Sequence, residues 1–107
     1  MKILYASNGL EKSVSTDRAL KKAYGTSAKR MKLRLSLLNG ASTLADVSHK
    51  KPPRRHKLHG EYAGCFAVDV TGNLRIIFYP VMEHEADEEP ELEAITTIRI
   101  VAIEDYH

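Results

Sequence analysis

The residues of this chain with the clearest chemical potential are histidines and arginines. His107 follows Asp105 by two positions, His56 sits inside the run Arg54-Arg55-His56-Lys57, and Arg75 lies just past a Gly-Asn pair. An imidazole, with an ordinary pKa of about 6.5, can both take and give a proton near neutrality. A guanidinium carries permanent charge and a planar fork of donors that fits a phosphate. Proton transfer beside a held phosphate is the chemistry such a set offers. Residues two apart on an extended strand share a face, which lets Asp105 orient His107 or hold it charged, while Tyr106 points the other way unless the strand loses regularity. His56 is placed to act as the complementary acid or base, or as a phosphate ligand. Arg75 is a candidate for the phosphate that reacts. Each has a plainer reading. The last residues can be a frayed end, the run around His56 a solvated basic linker, and Arg75 one half of a cross-strand ion pair with Asp69 or Glu61.

Other chemistries find less support. His56-x-x-His59 supplies two imidazoles, short of the three or four ligands a zinc site needs. No Gly-rich phosphate loop and no Ser/His/Asp nucleophile pattern occurs. No cofactor is expected. Cys65 is the single cysteine, so no internal disulfide can form, and its place in an apolar alternating run makes it a core residue.

Charge is distributed unevenly. Up to Gly60 the chain has fourteen Lys and Arg against three carboxylates, a balance of +11; beyond it, two against eleven, a balance of −9. The overall +2 conceals both. A basic half of this strength reads as a footprint for a polyanion such as a nucleic acid, with a solvated basic face as the bland alternative. Lys29, Arg30, Lys32 and Arg34 lie on one predicted helix, and Arg54, Arg55, Lys57 and His59 in the stretch around His56; all are candidate RNA ligands. The apolar runs are far shorter than the roughly 20 residues that cross a bilayer, and Met1 to Tyr5 is too short for a signal-peptide core. A cytoplasmic protein without a membrane partner is expected.

The elements that would position these residues follow from the hydrophobic pattern. At 107 residues and 43% hydrophobic, the chain fits one domain, 1–107, with one core. Lys2 to Ala6 reads as a first strand. Ser7 or Asn8 can cap a helix near Gly9, and Ser15 or Thr16 precedes a second helical stretch, Asp17 to Tyr24, stopped by Gly25. Ala28, Met31, Leu35 and Leu38 continue at helical spacing to Gly40, while Leu33 and Leu37 form a second stripe that predicts a helix covered on two sides. The Gly turn makes the two longer helices a hairpin. Ser42 to Val47 reads as one more helical turn, and Pro52-Pro53 excludes regular helix from the basic linker. The period then becomes two. Phe66, Val68 and Val70 alternate, Thr71-Gly72-Asn73 is a hairpin turn, Leu74 to Val81 is the return strand, and Ile95 to Ile103 is a last strand. Between them, 83–93 is too acidic for core and reads as an exposed loop, with its carboxylates able to fold over the basic surface. Strand, helices, then a strand meander is an α+β order, with helices on one sheet face and the other face open to a site.

Ordered segments of the chain resemble one family. Arg55-His56-Lys57-Leu58-His59-Gly60-Glu61-Tyr62-Ala63-Gly64 is similar to the segment before the central hairpin of HigB-type toxins of the RelE/ParE superfamily. Val68-Asp69-Val70-Thr71-Gly72-Asn73-Leu74-Arg75-Ile76-Ile77-Phe78 resembles that hairpin with its Gly-Asn-x-Arg turn, Gly9-Leu10-Glu11-Lys12 resembles the N-terminal region, and Asp105-Tyr106-His107 resembles the family's Asp-Tyr-His ending. The sequence departs from the pattern in the length of its acidic 83–93 loop and in His59, where many relatives have lysine.

The resemblance implies a RelE-like fold, an N-terminal strand and two-helix hairpin packed on an antiparallel sheet. It implies cleavage of mRNA on the translating ribosome, with ribosomal RNA as a second partner, and inhibition by a cognate antitoxin, commonly a helix-turn-helix protein of the HigA type. Metal-free cleavage would use the RNA's own 2′-hydroxyl as nucleophile, with His107, Asp105, Tyr106, His56 and Arg75 as the catalytic set and Tyr106 free to stack on a base or donate its hydroxyl. Rival readings on the same fold are a gyrase poison of the ParE type and a non-catalytic module that binds RNA or antitoxin.

Overall fold

The computed structural model describes residues 1–83 and 89–105. A five-stranded sheet forms one layer and the N-terminal helices the other. The strands are β1 (Lys2–Tyr5), β2 (His56–Lys57), β3 (Phe66–Asp69), β4 (Leu74–Pro80) and β5 (Thr97–Asp105), in the spatial order β1-β5-β4-β3-β2. From β5 to β2 every pairing is antiparallel; β1 joins the far edge parallel to β5. That one parallel pair follows from topology. A parallel neighbour needs a long crossover, and here almost the whole chain lies between the two strands.

The helices start where the capping residues predict. Ser7 Oγ accepts from Leu10 N at 3.2 Å to open α1 (Asn8–Ser13), and Thr16 Oγ1 accepts from Ala19 N at 3.0 Å to open α2 (Asp17–Tyr24). Asp17 in the first turn of α2 and Lys21 and Lys22 in its last turn complement the helix dipole. Gly25, at φ 53, turns the chain through a short 3-10 segment into α3 (Ala28–Gly40). Met31 and Leu38 of α3 are fully buried, but Leu33 is 60% exposed and Leu37 36%. Among the described residues the second leucine stripe is therefore left uncovered, against the expectation of a helix covered on two sides.

The main hydrophobic cluster lies on one side of the sheet. Phe66 and Val68 of β3, Ile76 and Phe78 of β4, and Ile98 and Ile100 of β5 meet Leu20, Met31 and Leu38 from the helices. The expected extra turn is a 3-10 segment, Leu44–Asp46, with a Thr43/Asp46 capping box that seats Leu44 and Val47 in the core. The last strand begins at Thr97 rather than Ile95. Ile95 is buried all the same, its carbonyl accepting from Leu44 N at 3.0 Å, and the Leu92–Ala94 stretch of the acidic loop is a 3-10 turn whose Leu92 packs on the core. Residues 84–88 of that loop lie outside the described residues.

One irregularity decides what the outer face of the sheet presents. Along β4 the core side chains keep even numbers, Ile76 and Phe78, but their partners on β5 are Ile103 and Ile100. A β-bulge opposite Ile77/Phe78 inserts one residue into β5 and flips its alternation. Before the bulge Ile98 and Ile100 face the helices; after it Ile103 does, and Glu104 turns to the outer face.

Candidate functional site

The side chains on the outer face follow from the register, since directly paired residues point the same way. Asp69, Arg75 and Glu104 stand level on β3, β4 and β5. His56, Ala67, Ile77 and Ala102 form the next row. With strands about 4.8 Å apart and about 6.8 Å per two-residue repeat, His56 and Arg75 are separated by about 12 Å between Cα atoms. The outer face is not bare between them, because Ala67 and Ile77 are fully buried.

The level row is a ladder of alternating charge. Arg54 Nη2 donates to Asp69 Oδ1 at 3.0 Å, and Arg54 Nε donates to Asp69 Oδ2, so one guanidinium spans both oxygens. Arg75 Nη2 donates to Glu104 Oε1 at 2.7 Å, and the Tyr62 hydroxyl donates to Glu104 Oε2 at 3.1 Å. Tyr62 is delivered from the 3-10 turn Gly60–Tyr62 between β2 and β3. The side chain of Arg75 is 16% exposed and that of Glu104 32%. The hydrogen bond to Glu104 raises the Tyr62 phenol pKa above its ordinary value, with desolvation and the charges of Glu104 and Glu61 acting in the same direction and Arg75 opposing. Tyr62 thus stays a protonated donor at neutral pH. Arg75 forms an ion pair across the strands, as anticipated, and its partner there is Glu104.

His56 Nδ1 lies 2.8 Å from the carbonyl oxygen of Arg54. A carbonyl only accepts, so Nδ1 carries the hydrogen and, in the neutral ring, Nε2 holds the lone pair. The backbone that presents His56 is bent sharply before it. Arg54 adopts a left-handed φ of 56, held by its N–H on the Lys50 carbonyl at 2.9 Å and by its side chain on Asp69.

The expected RNA ligands fall into distinct settings. Arg55 turns inward, donating to the carbonyls of Leu44, at 3.1 Å, and Val47. Lys57 pairs with Glu89, so one described carboxylate of the acidic loop does lie against the basic stretch. His59 is exposed at the start of the Gly60–Tyr62 turn. Lys29 and Arg30 are exposed on α3, Lys32 pairs with Asp17 at 2.7 Å, and Arg34 Nε donates to the Asp69 carbonyl at 2.7 Å. Burial lowers the Arg34 pKa, while Asp69 opposes that effect. The α3 cations belong to the helical layer, and Arg30 and Arg34 reach the side of Arg54 and Asp69.

Asp105 pairs with Leu74 and so stands on the helix side of the sheet, opposite Arg75. The structure does not bring it to the row that Arg75 occupies; Glu104 holds that place. Tyr106 and His107 lie outside the described residues. Sequence reasoning missed Glu104 and Tyr62. Alternation counted from Ile98 and Ile100 sends odd-numbered residues outward, and no residue type marks the bulge that reverses the count. Among the described residues no three His, Cys, Asp or Glu side chains cluster in a way that would hold a metal.

A separate groove of about 550 Å³ lies between α3, the Pro52-Pro53 stretch and the β3–β4 turn. Leu33 and Val70 contribute apolar lining, and Arg30, Arg34, Lys51 and Arg54 are cations along it. The Arg54–Asp69 pair is a wall shared by this groove and the charge ladder.

No family model and no curated protein sequence matches the chain significantly. Solved structures do. A histidine-to-glutamine variant of YafQ from E. coli superposes with a TM-score of 0.58 at 14% identity, covering 97% of this chain and 91% of that one. YafQ from E. coli strain BL21(DE3) gives 0.55 at 16% identity with the same coverage. The YoeB-YefM complex from Staphylococcus aureus gives 0.52 at 13% identity, covering 100% of this chain and 97% of that chain. The chain has the RelE-like fold of YafQ and YoeB, and at such identities the likeness speaks for the fold alone.

Proposed function

We propose that this chain is a ribonuclease toxin that cleaves mRNA on the translating ribosome. The observation that carries the reading is Arg75, a permanent cation fixed on the outer face of a RelE-like sheet within a row of charged side chains. The resemblance of its hairpin and of Asp105-Tyr106-His107 to HigB-type toxins supports the same reading. Arg75 takes the scissile phosphate. His107, with Asp105 and Tyr106 beside it in sequence, supplies a proton transfer, and His56, with Nε2 as its acceptor, serves the other transfer or the neighbouring phosphate. Lys29, Arg30 and His59, exposed, contact ribosomal or messenger RNA, with Lys32, Arg34, Arg54, Arg55 and Lys57 as further RNA ligands once their present partners are exchanged for phosphate. The protein acts in the cytoplasm; among the described residues no helix is long and apolar enough to cross a membrane.

Metal-free attack by a 2′-hydroxyl fixes the products. A defined mRNA in a translating extract is expected to yield fragments with 5′-hydroxyl ends and 2′,3′-cyclic phosphates, read by end-labelling with and without prior phosphatase. Fragments with 5′-phosphate ends would overturn this chemistry.

The inhibitory partner is an antitoxin, of the HigA helix-turn-helix type on the resemblance, and YoeB offers a structural parallel in its complex with YefM. Its docking site on this chain is the α3 groove. An exposed leucine within a rim of cations is complementary to an acidic segment carrying apolar side chains. Leu33→Asp is expected to stay toxic and to lose rescue by the co-expressed antitoxin. Undiminished rescue would place the partner elsewhere.

A further inference from the structure

Cleavage through the 2′-hydroxyl needs a group beside the phosphate that can take a proton. On the described outer face two carboxylates share the row of Arg75, and they are held differently. Asp69 has both oxygens engaged by the single guanidinium of Arg54. Glu104 divides its oxygens, Oε1 to Arg75 at 2.7 Å and Oε2 to the Tyr62 hydroxyl at 3.1 Å. If a phosphate takes Arg75, Oε1 is released while Tyr62 still holds Oε2, so the carboxylate stays in position with one oxygen turned to the newcomer. His56 stands one row and two strands from Arg75, and three strands from Glu104.

We propose that Glu104 is the proton acceptor of the reaction, masked by Arg75 until the scissile phosphate displaces it, and that Tyr62 is the residue that positions it. The proposal rests on the ribonuclease reading. The phosphate replaces Glu104 on the Arg75 guanidinium. Glu104 Oε1 takes the proton of the 2′-hydroxyl, and the 2′-oxygen forms its bond to phosphorus. The bond from phosphorus to the 5′-oxygen breaks, and that oxygen leaves with a proton from the His107 imidazolium. The products are a 2′,3′-cyclic phosphate and a 5′-hydroxyl. Glu104 and His107 return to their starting protonation by exchange with water. An anion arriving beside a carboxylate favours the protonated form, so the substrate itself promotes the transfer. This gating also explains a row whose cations and anions balance: the base rests in an ion pair instead of repelling the RNA it is to meet.

The test separates acceptor from donor. Ribosomes are programmed with mRNA fragments carrying, at the mapped cut, either the natural 5′-oxygen or a bridging sulfur. A thiolate leaves without needing a proton, so sulfur rescues a lost donor but not a lost acceptor. Glu104→Gln keeps the shape and still accepts from Arg75. Its single-turnover rate at saturating enzyme is expected to fall about 100-fold on both substrates, with the half-saturating concentration changed by no more than a few-fold. His107→Ala is expected to recover on the sulfur substrate. Glu104→Gln at the wild-type rate, or restored by sulfur, would overturn the proposal. Tyr62→Phe removes only a hydroxyl from a turn and decides the matter if Glu104→Gln does not fold: a loss of about tenfold on both substrates is expected, and the wild-type rate on both would overturn it. Wild-type protein that cuts neither substrate would instead remove the ribonuclease reading itself.

Discussion

Arg75→Lys is expected to lower mRNA cleavage by a factor on the order of 10² to 10³, the loss typical when a preorganised group facing transition-state charge is removed. Lysine keeps the charge but not the planar fork, and its single ammonium cannot span two oxygens of a phosphorane in fixed geometry. The native side chain is only 16% exposed and already oriented by Glu104, so little of its geometry can be recovered by a flexible replacement. Folding should survive, because the ammonium can still pair with Glu104. The check is the single-turnover cleavage rate beside the thermal midpoint. Cleavage within a few-fold of wild type would show that Arg75 is a structural half of an ion pair and nothing more.

The largest effect on stability is expected at Phe78. Its side chain is fully buried at the centre of the helix-side face, stacked on Phe66 with ring centroids 6.1 Å apart and planes at 18°. Phe78→Ala removes both the transfer free energy of the ring and its packing, about 3 to 5 kcal/mol. A domain of this size is typically stable by about 5 to 15 kcal/mol, so the variant sits near the edge of folding. Urea unfolding followed by far-ultraviolet circular dichroism measures it, and a loss under about 1 kcal/mol would contradict its place in the packed core. The residue lies across the sheet from the charge ladder, so any loss of toxicity in this variant follows from unfolding.

Most of the architecture is legible in the residues because it rests on local signals. Ser7 and Thr16 cap helices where their hydroxyls can reach backbone donors three residues on, and Thr71-Gly72-Asn73 turns the hairpin that brings Asp69 opposite Arg75. What escapes the sequence depends on the far end of the chain. The parallel pairing of β1 with β5 is a contact between opposite ends. Leu33 has the spacing of a covered residue, yet it is exposed among the described residues. The candidate site shows the same division. His56 and Arg75 are visible by residue type and place, but the β5 bulge exchanges Asp105 for Glu104 on the outer face, and Tyr62 joins only through a turn with no chemical signature. A side chain's chemistry is written in its type, whereas its company is written in the register.

On the proposed function, this chain cuts messenger RNA as it is translated. The most direct measurement is primer extension on cellular mRNAs after brief induced expression of the wild type and of His107→Ala. New cuts are expected within translated codons, absent upstream of start codons and lost in the variant together with growth arrest. Growth arrest by the wild type with no new cuts in any message would contradict it, and arrest accompanied by DNA damage would point to gyrase.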